Sequence, residues 1–379
     1  GDAFVASGAA TGLKRKADLN GLDQEGIGYL SMNIDRKGRR GSASRTFLKP
    51  ARRRTNLKVL TGVRVDRLLI EGRRVVGVEA TRVGRKVEYR TDGEVILSAG
   101  AIETPKILQL SGIGPAGHLA ARGVPVVHDA PGVGSNLREH FLLTLNYRLN
   151  DASLSQNRVY SGIGLVKSLA EYVLFGRGPL STASYTAGAF VRVSPDADRP
   201  EGQLMFAPWT RDWETRTFDS WPGMNVFTYL LRPESSGSVM IEGADPQQQP
   251  KIAPNHLATE RDRELSVSLV RTLRRLMATG PIAGLVEGET EQTAWAQSDE
   301  EIARLFRDNG APGYHYCGTV AMGDFAGAVL DARLRVRGID GLRVMDLSIL
   351  PELVSGNTNA PVMAMAWRAA DLFLEDRRS

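Results

Sequence analysis

Only one cysteine, Cys317, occurs in the 379 residues. That excludes an internal disulfide framework and a CxxC zinc site. No stretch approaches the ~18 consecutive apolar residues that a membrane helix needs. The first residues, GDAFVASGAATGLKRK, lack the basic, apolar and small-residue order of a secretory signal. A reducing cytoplasm fits the single thiol. The five histidines, His118, His128, His140, His256 and His315, form no HxH or HExxH pair, so no local metal motif exists. A GxSxG elbow is also missing, which weakens a serine-hydrolase reading. There is no internal repeat and no low-complexity tract.

What is present is ordinary in bulk and uneven in detail. The apolar fraction is 42% and the charged fraction 24%, enough for a substantial buried core. The net charge of +5 is concentrated at one end: residues 1–60 carry 13 Lys+Arg against 5 Asp+Glu. Few aromatics interleave with these bases, so they read as a solvated or internally paired face. Polyanion binding through residues 14–54 is the competing reading, and steep salt dependence would reveal it. Residues 1–56 are glycine-rich, poorly periodic and read as loop-rich. Leu57–Leu60, Val63–Ile70, Val75–Arg82 and Lys86–Arg90 are β-rich runs separated by turn residues, which predicts a meander. Glu94–Ser98 is a continuous apolar run of the kind buried on both faces of a parallel sheet. It leads through small residues into a helix, half of a βαβ unit. Asp262–Leu276 has helical apolar spacing, and Ser298 with Glu301 forms a capping box. Leu342–Met345 is another buried strand, and Pro361–Leu374 is a closing helix with proline near its first position. The composition is α/β or α+β.

Two residues could carry chemistry. His315 lies in GYHYCGTVAMG (313–323), where small neighbours allow close approach of a ligand. A packed loop histidine is the plainer alternative. Asn359 lies in SGNTNAP (355–361), directly before the closing helix, where asparagine ordinarily serves as a cap. GVGSN (132–136) reads by itself as a structural loop.

Taken together the segments resemble the glucose-methanol-choline (GMC) oxidoreductase family. GAIETPKILQLSGIG (100–114) is similar to the family's second signature at every specified position: Gly100, Ala101, Thr104, Pro105, Ile107, Leu108, Ser111, Gly112, Ile113 and Gly114. GVGSNLREH (132–140), GPLSTASYTAGAFVR (178–192), RPESSGSVMI (232–241), YHYCGTVAMG (314–323) and LRVMDLSILP (342–351) follow in family order. The resemblance spans nearly the whole chain. It implies an α/β fold: an incomplete, Rossmann-like FAD-binding domain with an antiparallel-sheet substrate domain. The implied division is residues 1–56 as an excursion between domains, 57–140 and 313–379 as parts of the FAD domain, and 141–312 as the substrate domain.

The implied activity is oxidation of a small alcohol to an aldehyde or ketone, with hydride passing to the flavin N5. His315 matches the catalytic base and Asn359 its partner. Val65, Ala99, Gly100, Asp346, Leu347, Ala360 and Pro361 match cofactor-lining positions. The positive end of the closing helix would suit a reduced, anionic flavin. Three departures qualify this. The GxGxxG fingerprint that opens family members does not occur before the meander, so the chain is expected to be a fragment or a truncated frame. An inactive remnant unable to hold FAD alone is then the alternative. Thr186 stands where several choline-oxidising members have Glu, which disfavours choline. Ser235-Ser236-Gly237 replaces the family's Ser-Arg-Gly. A hydroxynitrile lyase on the same scaffold is a further alternative. The sequence names neither the alcohol nor the electron acceptor.

Overall fold

The computed structural model describes residues 1–377 apart from 213, 214 and 216. The chain divides into two compact units. The first comprises Gly1–Arg54, Phe141–Leu231 and Thr259–Ala311; the second comprises Thr55–His140, Arg232–Ala258 and Pro312–Ser379. Residues 232–258, assigned from the resemblance to the substrate domain, group with the second unit.

The first unit is built on one sheet. Its strands run in the order Arg15–Lys16, Gly26–Tyr29, Ala187–Val191, Gly202–Ala207, Gly223–Leu230, Phe141–Leu149, Val286–Glu289. All neighbours pair antiparallel except the first two. The three central strands are buried at every position, so both faces are covered. The helix Glu260–Met277 buries Val267, Leu269, Val270, Leu273 and Leu276, a stripe at helical spacing. It lies so close that a Cβ on Gly202 would stand 2.4 Å from a Leu269 methyl. Thr259 caps it by accepting the Asp262 N–H at 3.2 Å.

The expected loop-rich opening contains a helix, Asp2–Ala10. Phe4 stacks on Phe206 at 5.1 Å, and Gly8 meets Ile27 closely. Tertiary packing stabilises this helix where its local pattern is weak. The bases nearby are partly paired: Lys16 with Asp23 at 2.8 Å and Arg45 with Asp35 at 2.6 Å.

The second unit holds the meander Val63–Glu71, Arg74–Arg82, Arg85–Arg90. Leu57–Leu60 forms no strand; Leu57, Val59 and Leu60 are each close to 40% exposed, without a partner strand to bury them. Val95–Leu97 pairs in parallel with Leu342–Val344, and the helix Gly100–Leu110 follows the first of these strands. Leu97, Ile107, Leu108, Val320, Leu342 and Val344 form the centre of this core. Ile96 points away from it and is 45% exposed, so the strand is not buried on both faces as its composition suggested. The closing helix runs Asn359–Asp376, and its Ala369, Met365 and Phe373 pack on the same core. Among the described residues no helix is long and apolar enough to cross a membrane.

Candidate active site

The site grows from a short antiparallel pairing within the second unit. Gly134 N–H donates to Thr319 O at 2.8 Å, and Arg138 and Cys317 exchange two backbone bonds of 3.0 Å. Gly313 N–H then donates to His140 O at 2.8 Å. Carrying the register two residues beyond Arg138 and Cys317 sets His140 opposite His315. Glycine is required where the segments touch. Gly318 sits at φ +91°, and a Cβ there would stand 2.2 Å from Asn136 O. Asn136, itself at φ +58°, donates its amide to Pro351 O at 3.0 Å.

The two histidines meet through their Nδ1 atoms at 2.8 Å, with ring planes at 90°. His315 Nε2 faces Asn357 Nδ2 at 3.4 Å. Burial lowers the His315 pKa, which favours the neutral imidazole. Its backbone N–H donates to Glu139 Oε1 at 2.9 Å. Burial pushes the Glu139 carboxyl up to about 7, against the opposing effect of backbone N–H groups of His315, His140, Gly313 and Tyr314. Tyr314, between them, is held at φ +61° with its ring largely in solvent. Cys317 is buried among Leu350 and Leu353, and burial pushes its thiol up to about 12. A thiol in that state is no nucleophile.

Asn359 makes no hydrogen bond to His315. It is the first residue of the closing helix, and its amide lies 3.7 Å from Met363 Sδ. The residue before it, Thr358, makes no side-chain cap bond. Asn357, two positions earlier, supplies the amide that faces His315. Glu139, His140 and Asn357 were therefore not picked out as site residues. Extending the register from the GVGSNLREH segment would have exposed the first two. Two asparagines stand in GNTNAP, and only the helix start separates them.

The positions expected to line a cofactor also gather in this unit. Asp346, at the end of the strand Leu342–Val344, accepts from Gly100 N at 2.9 Å, Thr104 Oγ1 at 2.6 Å and Ser348 N at 2.7 Å. This ties the turn at Ala99 and Gly100 to the neighbouring strand. Gly100 has φ +88° and open space where a Cβ would be. Ala99 and Ala360 are exposed, and Val65, Leu347 and Pro361 half-buried. A helix start without a side-chain cap and an open strand-to-helix turn each offer backbone donors to a large anionic group. These residues fit a dinucleotide cofactor.

Two family models, both described as GMC oxidoreductase, match residues 2–142 and 233–366. The chain belongs to the GMC oxidoreductase family. It is 35% identical over 373 residues to the oxygen-dependent choline dehydrogenase of Pseudomonas entomophila, covering 97% of this chain and 66% of that protein. The choline dehydrogenase of Chromohalobacter salexigens is 33% identical over 368 residues, with the same coverages. The chain thus spans 66% of the length of these curated relatives. Among solved structures, pyridoxine 4-oxidase from Mesorbium loti is similar with TM-score 0.86 and 30% identity, covering 100% of this chain and 69% of that one. Formate oxidase is similar with TM-score 0.92 and 25% identity, covering 100% and 70%. FAD is the cofactor of the family.

Proposed function

We propose that this chain carries the substrate-oxidising centre of an FAD-dependent alcohol oxidoreductase, with His315 as the base and Asn357 as its partner. The observation that carries this reading is the buried His315 ring, which meets His140 at Nδ1 and faces the Asn357 amide at Nε2, with burial lowering its pKa. A neutral imidazole with a bare nitrogen beside an amide donor suits an alcohol. The hydroxyl proton moves to His315 Nε2 while Asn357 Nδ2 donates to the same oxygen and orients it. FAD, when bound, supplies the acceptor for the hydride that leaves the alcohol carbon. Val65, Ala99, Gly100, Leu347, Ala360 and Pro361 would hold it, with Asp346 fixing the Gly100 turn. The helix beginning at Asn359 presents uncapped N–H groups that favour negative charge on that cofactor.

The substrate class is a small alcohol. The choline dehydrogenase relatives support a primary alcohol, but Thr186 offers no counter-charge for a quaternary ammonium. The test uses the FAD-loaded protein with choline, pyridoxine and benzyl alcohol as probes, following anaerobic bleaching of the flavin band. His315→Gln should lower kcat by about 10²–10⁴-fold. Asn357→Ala should cost about tenfold or more, and distinctly more than Asn359→Ala. A His315→Gln protein that bleaches at the wild-type rate, or a wild type bleached by none of the three alcohols, would overturn the proposal.

A further inference from the structure

We infer that His140 is a positioning residue: its Nδ1 accepts the Nδ1 proton of His315 and thereby keeps Nε2 of His315 bare and aimed at Asn357. The inference rests on the reading of His315 as the base and adds what sets its tautomer.

The argument is a count of protons. Two Nδ1 atoms 2.8 Å apart need one donor and one acceptor, because two N–H groups or two lone pairs facing each other repel. A neutral imidazole carries a single N–H. Asn357 turns its NH2 group to His315 Nε2, so that nitrogen is the acceptor. The one proton of His315 is therefore on Nδ1. His140 must receive it on a bare Nδ1 and carry its own proton on Nε2. In water free imidazole side chains exchange between tautomers; here the partner selects one.

His140 is built for that task. It is fully buried, and its segment is fixed on both sides by the Arg138–Cys317 backbone pair and the Gly313 bond to its carbonyl. A Cβ on Gly313 would stand 2.9 Å from the His140 carbonyl oxygen and 3.5 Å from His315 Nδ1, so the chain leaves room for this contact only with glycine there. The ionisable groups around the pair are Glu139, Arg138, Tyr314, Tyr316 and Cys317. Arg138 is turned away to Pro233 O at 2.7 Å and Asn136 Oδ1 at 3.0 Å. As His315 takes the hydroxyl proton it becomes cationic, and its Nδ1–H bond to His140 becomes charge-assisted and stronger. An interaction that strengthens only as the proton arrives raises kcat and leaves substrate binding unchanged.

The test combines a spectrum with kinetics. In protein labelled with ¹⁵N at histidine, long-range ¹H–¹⁵N spectra distinguish protonated from bare ring nitrogens, and a His315→Gln sample identifies the His315 signals. The wild type should show His315 protonated on Nδ1 and bare on Nε2. His140→Phe, which keeps the ring volume but accepts nothing, should abolish that single-tautomer pattern. With the best of the three probe alcohols, the FAD-loaded His140→Phe protein should lose about 10- to 100-fold in kcat with KM near wild type. His140→Asn, whose Oδ1 can take the place of the lost acceptor, should recover most of the loss. A wild-type His315 protonated on Nε2, or a His140→Phe kcat within about twofold of wild type, would overturn the inference. If His315→Gln is inactive while His140→Phe is normal, His315 stands as the base and only the role of His140 falls. If His315→Gln is itself active, the underlying reading has failed instead.

Discussion

Glu139 makes a prediction about stability whose sign is fixed by its surroundings. Its carboxyl is 3% exposed and titrates at about 7 rather than its ordinary 4.5, because burial disfavours the charged form. The folded protein therefore holds this proton at pH values where the unfolded chain has released it. Wherever the folded state binds more protons, stability falls as pH rises. The contribution is fully present below 4.5 and is lost progressively until about 7. Each pH unit in that window costs about 1.4 kcal/mol, so the whole window is worth about 3 kcal/mol. Glu139→Gln removes the titration but keeps a carbonyl oxygen for the His315 N–H. The difference in unfolding free energy, variant minus wild type, should rise by about 3 kcal/mol between about pH 4.5 and pH 8. Urea unfolding of both proteins across that range measures it. Parallel curves would refute the reasoning and place Glu139 as an ordinary ionised carboxylate.

Gly318→Ala should destabilise by about 2–5 kcal/mol in urea unfolding, since it combines a left-handed backbone with a Cβ driven into Asn136 O. Gly117→Ala, with open space on a short helix, should instead be neutral or stabilising by about 0.5–1 kcal/mol. In alcohol oxidation, the acidic limb of the kcat/KM profile of the FAD-loaded protein should fall below His315's ordinary 6.5, because burial lowers its pKa; a limb at or above that value would contradict a desolvated base.

Elements with a complete local signal were legible. Ser298 and Glu301 form the reciprocal cap at the start of Asp299–Asn309, as the Ser-x-x-Glu spacing demands. The meander strands end at Glu71, Arg82 and Arg90, within a residue or so of the runs that announced them. Val95–Leu97 and Leu342–Val344 lie almost 250 residues apart in sequence and read as strands separately; only the fold pairs them. The misreadings share a cause. Asp2–Ala10 is a helix because Phe4, Val5, Ser7 and Gly8 are buried, a tertiary fact its local pattern does not carry. Leu57–Leu60 has strand composition and no neighbour to bond with. The site follows the same rule. The GYHYCGTVAMG segment singles out His315 as a candidate, whereas Asn357 and Asn359 are chemically identical and differ only in which precedes the first helical turn.

The Glu139-His140 dipeptide explains why so much of the geometry at His315 is fixed from one short segment. The two residues grip the facing segment in two different ways. Glu139 accepts the backbone N–H of His315 and so fixes where its Cα stands. His140 meets the ring at Nδ1 and so fixes its plane. Tyr314, immediately before, sits in the left-handed region, which costs a bulky residue about 1–3 kcal/mol. The hydrogen bonds that flank it, Gly313 N–H to His140 O and His315 N–H to Glu139, offset that cost. Neither residue of the dipeptide has to touch a substrate to matter. Backbone position and ring orientation are the two freedoms a side chain at the tip of a loop would otherwise keep, and each is removed by a different neighbour on the same segment.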